Sequence, residues 1–322
     1  MMNLSRIAVC VLFAAMFAPL AVAQDYPSKP IRLIANYGAG SSIDIIARLV
    51  AKPLSEQLGQ PVVVENRSGA GGDIGTDVVA KAPKDGYTIG FASPGPLVFN
   101  PMMRKSMPFA PGDVTPVILL ATGPNVILTN PEVPATTLSE LVTYIKANPG
   151  KVAFASAGNG TSGHLAGELF KQLTKTDILH IPYKGNAEAV TDVVGGRVQV
   201  LFSGVPPIRA QIEGGRLRAI AIADVKRAPQ LPGVPTVAEA GLPGAESGAW
   251  YGILAPSGVP PSILERLNAE LAKVVQRPEV REQFGKLGID AADSSRTTFE
   301  KMIAHEITRW KPLFESTKIT AD

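Results

Sequence analysis

At 322 residues the chain is too long for one small domain and comfortable for two lobes of roughly 100–200 residues each. It is 45% hydrophobic and 18% charged, enough to bury sizeable cores and stay soluble. A net charge of +3 without any lysine or arginine run, and only 6% aromatics, exclude a nucleic-acid track, a polybasic membrane patch and a base-stacking platform.

The first 23 residues read as an export signal. Met1 to Arg6 carries one positive charge, and residues 7–20 are apolar, interrupted only by Pro19. Ala21-Val22-Ala23 then puts small residues where a signal peptidase reads, predicting cleavage near Ala23/Gln24 and a periplasmic mature chain. The apolar run is too short to span a bilayer comfortably, and past residue 24 no run approaches the ~20 residues of a membrane helix. The single cysteine, Cys10, leaves with the signal, so the mature chain is expected to have no disulfide and no thiol chemistry.

The mature chain then alternates short apolar runs with helical spacing. Residues 31–35 predict a strand, 42–58 a helix with Ile45, Ile46, Leu49, Val50, Leu54 and Leu58 on one face, and 61–65 a second strand. A short helix over 73–81 and a strand over 87–92 follow. The pattern restarts with strands at 126–129, 152–156, 178–181, 198–202 and 217–222, and helices at 137–148, 162–173, 187–194 and 207–213. A Pro/Gly-rich stretch, 228–261, surrounds a strand at 250–255, and helices over 261–276, 278–287 and 297–316 close the chain. This alternation predicts an α/β fold with a mainly parallel sheet. Two βα sets and a returning tail imply two lobes: 24–120 and 225–322 form the first, 121–224 the second. The chain then crosses near 115–126 and 222–252, making a hinge with a ligand crevice between lobes.

No nucleophile elbow, zinc-binding helix, phosphate loop with lysine or paired cysteine is present. His164, His180 and His305 lack ligand spacing and read as structural, with His164 offering at most a cleft-lining contact. Residues 36–42 (NYGAGSS) lead from a strand straight into a helix, where backbone N–H groups bind an anion and glycine lets it approach. Ser41 with Asp44 three residues on equally fits a helix cap, so Asp44 reads as a loop brace. Residues 156–162 (SAGNGTS) repeat the device in the second lobe, with a plain capped loop as the alternative. Two donor clusters suit a molecule carrying carboxylates. Lys184, in residues 182–186 (PYKGN), offers a charge, though solvation is the ordinary fate of a lone lysine. Tyr37, Phe202 or Trp250 near the cleft would favour an aromatic ring, with core or lobe packing the expected role of at least two of them.

Several segments, in order, resemble the substrate-binding subunits of tripartite tricarboxylate transporters, the Bug family: YPSKPIRLI from Tyr26, GQPVVVENRSGAGG from Gly59, DGYT from Asp85, ANPGK from Ala147, HIPYKG from His180, LPGVPTVAEAGLPG from Leu231 and EITRW from Glu306. The resemblance covers nearly all of the mature chain. It implies a type II periplasmic binding-protein fold, no catalysis, no cofactor or metal, a small organic acid as cargo (mono-, di- or tricarboxylate, aliphatic or aromatic), and membrane permease subunits as partners. Carried over by position, ligand contacts fall on Tyr37, Gly38, Ala39, Gly40, Ser41 and Ser42, on Ser93, on Ser156, Ala157, Gly158, Gly160 and Thr161, and on Lys184 and Ser203. The family's first cleft loop usually reads with a proline and paired glycines, which this chain lacks, and Pro53 interrupts a helix it should kink. A secreted enzyme acting on a small carboxylate is the alternative and requires an acid–base pair the sequence does not advertise; presenting ligand to a membrane sensor is a variant of the leading reading.

Overall fold

The computed structural model describes residues 26–292, 294–317 and 319–320, so the expected export segment lies outside the described residues. The first unit follows the sequence signals closely. Strand β1 (Ile31–Ala35) is buried at four of its five positions, and helix α1 (Ser42–Leu58) begins where the Ser41 hydroxyl accepts the Asp44 N–H. The helix stops at Gly59, whose φ of 66° is a left-handed cap that any side chain resists. It runs through Pro53 as one helix. Strand β2 (Val62–Asn66), helix α2 (Asp73–Ala80), strand β3 (Thr88–Ala92) and the short helix α3 (Asn100–Met103) complete the unit.

Next comes β4 (Val114–Thr129), a single 16-residue strand where a short one over 126–129 is expected. Helix α4 (Leu138–Ala147), β5 (Ala153–Ser156), α5 (Ser162–Thr174), β6 (Leu179–Pro182), α6 (Asn186–Val194), β7 (Val200–Gly204), α7 (Arg209–Glu213) and β8 (Arg218–Ala223) follow. The chain returns through β9 (Gly248–Pro256), α8 (Pro261–Gln276), α9 (Pro278–Lys286), β10 (Asp290–Ala291) and α10 (Arg296–Thr317).

These strands form one ten-stranded sheet in the order β2-β1-β3-β9-β4-β7-β5-β6, with β8 and β10 also paired to β4. The mainly parallel sheet expected from the alternation is therefore corrected to a mixed one. The outer strands are parallel, but β4 runs antiparallel to β7, β8, β9 and β10, and β9 antiparallel to β3. The reason lies in β4 itself. Residues 114–124 pair with β9 in one half, while 125–129 lie between β7 and β8 in the other. Pro116 stands where the β4–β9 register shifts, so a residue without an N–H interrupts the ladder at a bulge rather than inside regular pairing.

The core divides accordingly. One buried cluster draws only on residues between Ile31 and Ala121 and between Tyr251 and Ile289. Two others, around Phe154, Phe170 and Phe202 and around Val126 and Leu201, draw only on residues 126–245. A fourth joins Phe99, Trp250, Phe299 and Trp310, with Leu165 of α5 reaching into it from the other half. Among the described residues, no helix is long and apolar enough to cross a membrane.

Candidate functional site

Two turn-to-helix segments of the same design meet at the centre of the sheet. After β1, Ser41 N donates to Gly38 O, Gly40 N donates to the Asp44 carboxylate (3.0 Å), and the Ser41 hydroxyl caps α1. After β5, Thr161 N donates to Gly158 O, Gly160 N donates to His164 Nδ1 (3.2 Å), and the Thr161 hydroxyl caps α5. Gly40 and Gly160 both hold φ at 76°. Each turn is thus tied from below by the fourth residue after its glycine, once by a carboxylate and once by an imidazole. Burial pushes the Asp44 carboxyl up, but the Gly40 N–H, Arg48 and Asn66 outweigh it and hold the group below its ordinary value. Asp44 is therefore an anionic brace for the first turn.

The turns face a cavity of about 510 Å3, part of which is open to solvent. Among the described residues, no charged side chain lines it. Its polar wall consists of hydroxyls and an amide, several of them fixed by hydrogen bonds. The Ser203 hydroxyl accepts from Asn186 Nδ2 (2.7 Å), Ser162 donates to Asn125 Oδ1 (3.3 Å), and the Tyr37 phenol donates to Gly71 O (2.7 Å). Burial raises the pKa of Tyr37 and pushes that of Tyr251 up to about 12, so both phenols remain protonated donors. Ser93 is 3% exposed and lines the same wall, where its hydroxyl lies beside the Tyr37 phenol. The apolar remainder includes Ile43, Phe202 and Ala249.

The family model described as "Tripartite tricarboxylate transporter family receptor" matches residues 46–319. The chain belongs to this receptor family. BugT of Bordetella pertussis is 38% identical over 322 aligned residues, covering 98% of each chain. The periplasmic binding protein BugD is 32% identical and superposes with a TM-score of 0.87 over 92% of this chain and 99% of that one. A protein of R. palustris solved with adipate is 34% identical, with a TM-score of 0.89 over the same shares. The fold is accordingly the two-lobed periplasmic binding-protein fold, with its ligand cleft between lobes.

In this receptor the positions singled out from sequence separate into wall and support. Tyr37, Ser41, Ser42, Ser93, Ala157, Thr161 and Ser203 reach the cavity. Gly38, Ala39, Gly40, Ser156, Gly158, Gly160 and His164 are not among its lining residues. Lys184 lines a neighbouring pocket of about 550 Å3, which shares Tyr37 and Ala157 with the main cavity and also holds Gly158 and Arg104. Trp250 is buried in the core, edge-on to Phe299, and its strand neighbour Tyr251 takes the cavity instead. Sequence reasoning missed Tyr251, Ser162 and Asn186. Tyr251 arrives on the returning strand β9, and alternation along β9 is the one signal that sets it opposite Trp250.

His164 and His180 stack face to face behind the second turn, 4.1 Å between centroids, and His180 stacks in turn on Phe154. Burial lowers the pKa of His164 to about 4 and that of His180 to about 3, with the neighbouring imidazole lowering the latter further. Both rings are neutral in the folded protein at pH 7. Unfolded imidazoles take protons below about 6.5, so the stabilisation is complete above that pH and is lost as pH falls toward 4 and 3. Stability at pH 5 is expected to lie roughly 2–4 kcal/mol below that at pH 7. Calorimetric melting of wild type and His180→Gln from pH 7 to pH 4.5 checks this; equal acid sensitivity of the two would show that the pair is not the cause.

Proposed function

We propose that this receptor captures a small organic carboxylate between its lobes in the periplasm and delivers it to membrane permease subunits of a tripartite tricarboxylate transporter. The observation that carries this reading is the uncharged, donor-lined cavity between two helix N-termini. A carboxylate there accepts hydrogen bonds from hydroxyls and backbone N–H groups, and the positive ends of two helix dipoles favour its charge. The relative solved with adipate supports the same ligand class. Ligand contacts fall to the wall residues Tyr37, Ser41, Ser42, Ser93, Ala157, Thr161 and Ser203, to which we add Ser162, Asn186 and Tyr251. Gly38, Ala39, Gly40, Ser156, Gly158, Gly160 and His164 shape the turns that present those groups, and Lys184 supplies positive charge beside the cavity. We place the lobe boundaries at 120/121 and 224/225 and signal cleavage near Ala23/Gln24.

We read the receptor as non-catalytic. The one serine–histidine hydrogen bond among the described residues, Ser156 Oγ to His180 Nε2 at 2.7 Å, is half-buried behind the wall, and the imidazole's lowered pKa makes it a poor base at neutral pH. A melting screen of the mature chain against adipate, malate, citrate, glutamate, nicotinate and terephthalate tests the carboxylate reading. A ligand at ~100 times its dissociation constant adds about 2.7 kcal/mol to stability. At least one acid is expected to raise the melting temperature by several degrees, and a panel without any shift would count decisively against carboxylate capture.

A further inference from the structure

Away from the cavity wall, the two lobes touch through backbone. A methyl group built on Gly160 would lie 1.8 Å from Asn100 Oδ1 and 3.0 Å from Met103 Cε, and one on Gly71 would lie 2.4 Å from Asn159 O. Residues 71, 100 and 103 belong to the first lobe and 159 and 160 to the second. Asn100 is fully buried. Its amide nitrogen donates to the Asp73 carboxylate (2.6 Å), to Ala70 O (3.2 Å) and to Gly71 O (3.4 Å), while Arg104 Nε lies 3.1 Å from the other Asp73 oxygen. The amide is thus fixed by three groups of its own lobe, and its oxygen, which has no hydrogen-bond partner, is turned toward Gly160. Met103 backs the same contact. A side chain at 160 has nowhere to go while the lobes are in this arrangement.

We infer that Asn100 and Gly160 are positioning residues for cargo binding, which set how far the cleft shuts and hence the affinity without lining the cavity. The inference rests on the binding reading and lobe division above. Cargo gains contacts from both lobes only in the closed arrangement, so a variant that cannot close binds with an affinity reduced by the lost closed fraction.

Gly160→Ala is the test, measured against wild type and Gly59→Ala by small-angle scattering, with and without saturating adipate, and by adipate calorimetry. Gly59 is the matched control, since its φ is also left-handed (66°) and a methyl there meets nothing within 4 Å. It carries the backbone strain of alanine at positive φ without the obstruction. Gly160→Ala is expected to show a larger radius of gyration than wild type and Gly59→Ala, and to bind adipate at least about tenfold more weakly. Circular dichroism confirms folding. If Gly160→Ala does not fold, Gly71→Ala probes the same contact from the opposite lobe with the same expectation. Equal dimensions of variant and wild type in both conditions, or an equal loss in Gly59→Ala, would overturn the inference. Failure of wild type to bind adipate bears on the ligand reading alone, because the ligand-free comparison still decides whether the contact forms.

Discussion

Thr161→Asp is expected to fold and to lose most of its affinity for adipate. Thr161 is 5% exposed, lines the cavity and caps α5, its hydroxyl accepting from His164 N and donating to Gly158 O at 2.8 Å. Aspartate keeps the cap acceptor, and its charge suits a helix N-terminus, so the helix survives the exchange. The bound carboxylate does not fare as well. It meets a second negative charge and a competitor for the same donors. At ~4 Å and an effective dielectric near 20 the repulsion is roughly 4 kcal/mol. Discounted heavily for water in the cleft, this still weakens binding about tenfold or more. Thr161→Ser, which keeps hydroxyl and cap without charge, should bind nearly as wild type. A folded Thr161→Asp protein with wild-type affinity by calorimetry would remove the second turn from the ligand site.

The largest loss of stability is expected from Phe299→Ala. Phe299 is fully buried where α10 lies on the sheet, packed edge-on against Trp250 at 5.4 Å. Its ring occupies the space over Gly252 of β9, where a methyl would come within 2.4 Å of it. Glycine and phenylalanine are therefore complementary, and truncating the ring leaves a void that no neighbouring side chain at 252 exists to fill. Such a truncation costs about 3–5 kcal/mol. For a chain of this size that corresponds to roughly a 10 °C fall in melting temperature. Scanning calorimetry measures it, and a fall of less than about 3 °C would mean that α10 is held chiefly by Trp310, Leu313 and Phe314.

Local signals were enough for much of the fold and for the two turns that reach the cavity. Helix α1 occupies residues 42–58 as expected, because its start and stop are chemical events at single residues, the Ser41 cap and the Gly59 turn. The two turns were legible for the same reason, since a strand followed by small polar residues and a helix has little else to become. Strand β4 was not. Pro116, Gly123 and Pro124 look like loop punctuation, and what holds those residues extended is pairing with β9, more than a hundred residues onward. Tyr251 was missed together with that pairing. A wall assembled from segments as far apart as Tyr37 and Tyr251 leaves no local trace, and Lys184 shows the converse, a residue whose motif marked it while its strand end directs it to the adjoining pocket.

The long β4 strand also bears on whether this protein can be taken apart. The chain passes from one lobe to the other inside a hydrogen-bonded ladder, with residues 121–124 opposite 248–251. Such a crossing offers a protease no slack linker to enter, because cleavage requires the backbone to leave its partners first. Nor does it offer a place to cut by design. A cut after residue 125 would divide β4 itself, leaving residues 126–129 between β7 and β8 in one fragment and residues 114–124 on β9 in the other. The two halves share one continuous strand, so separating them means severing a paired backbone rather than removing a linker.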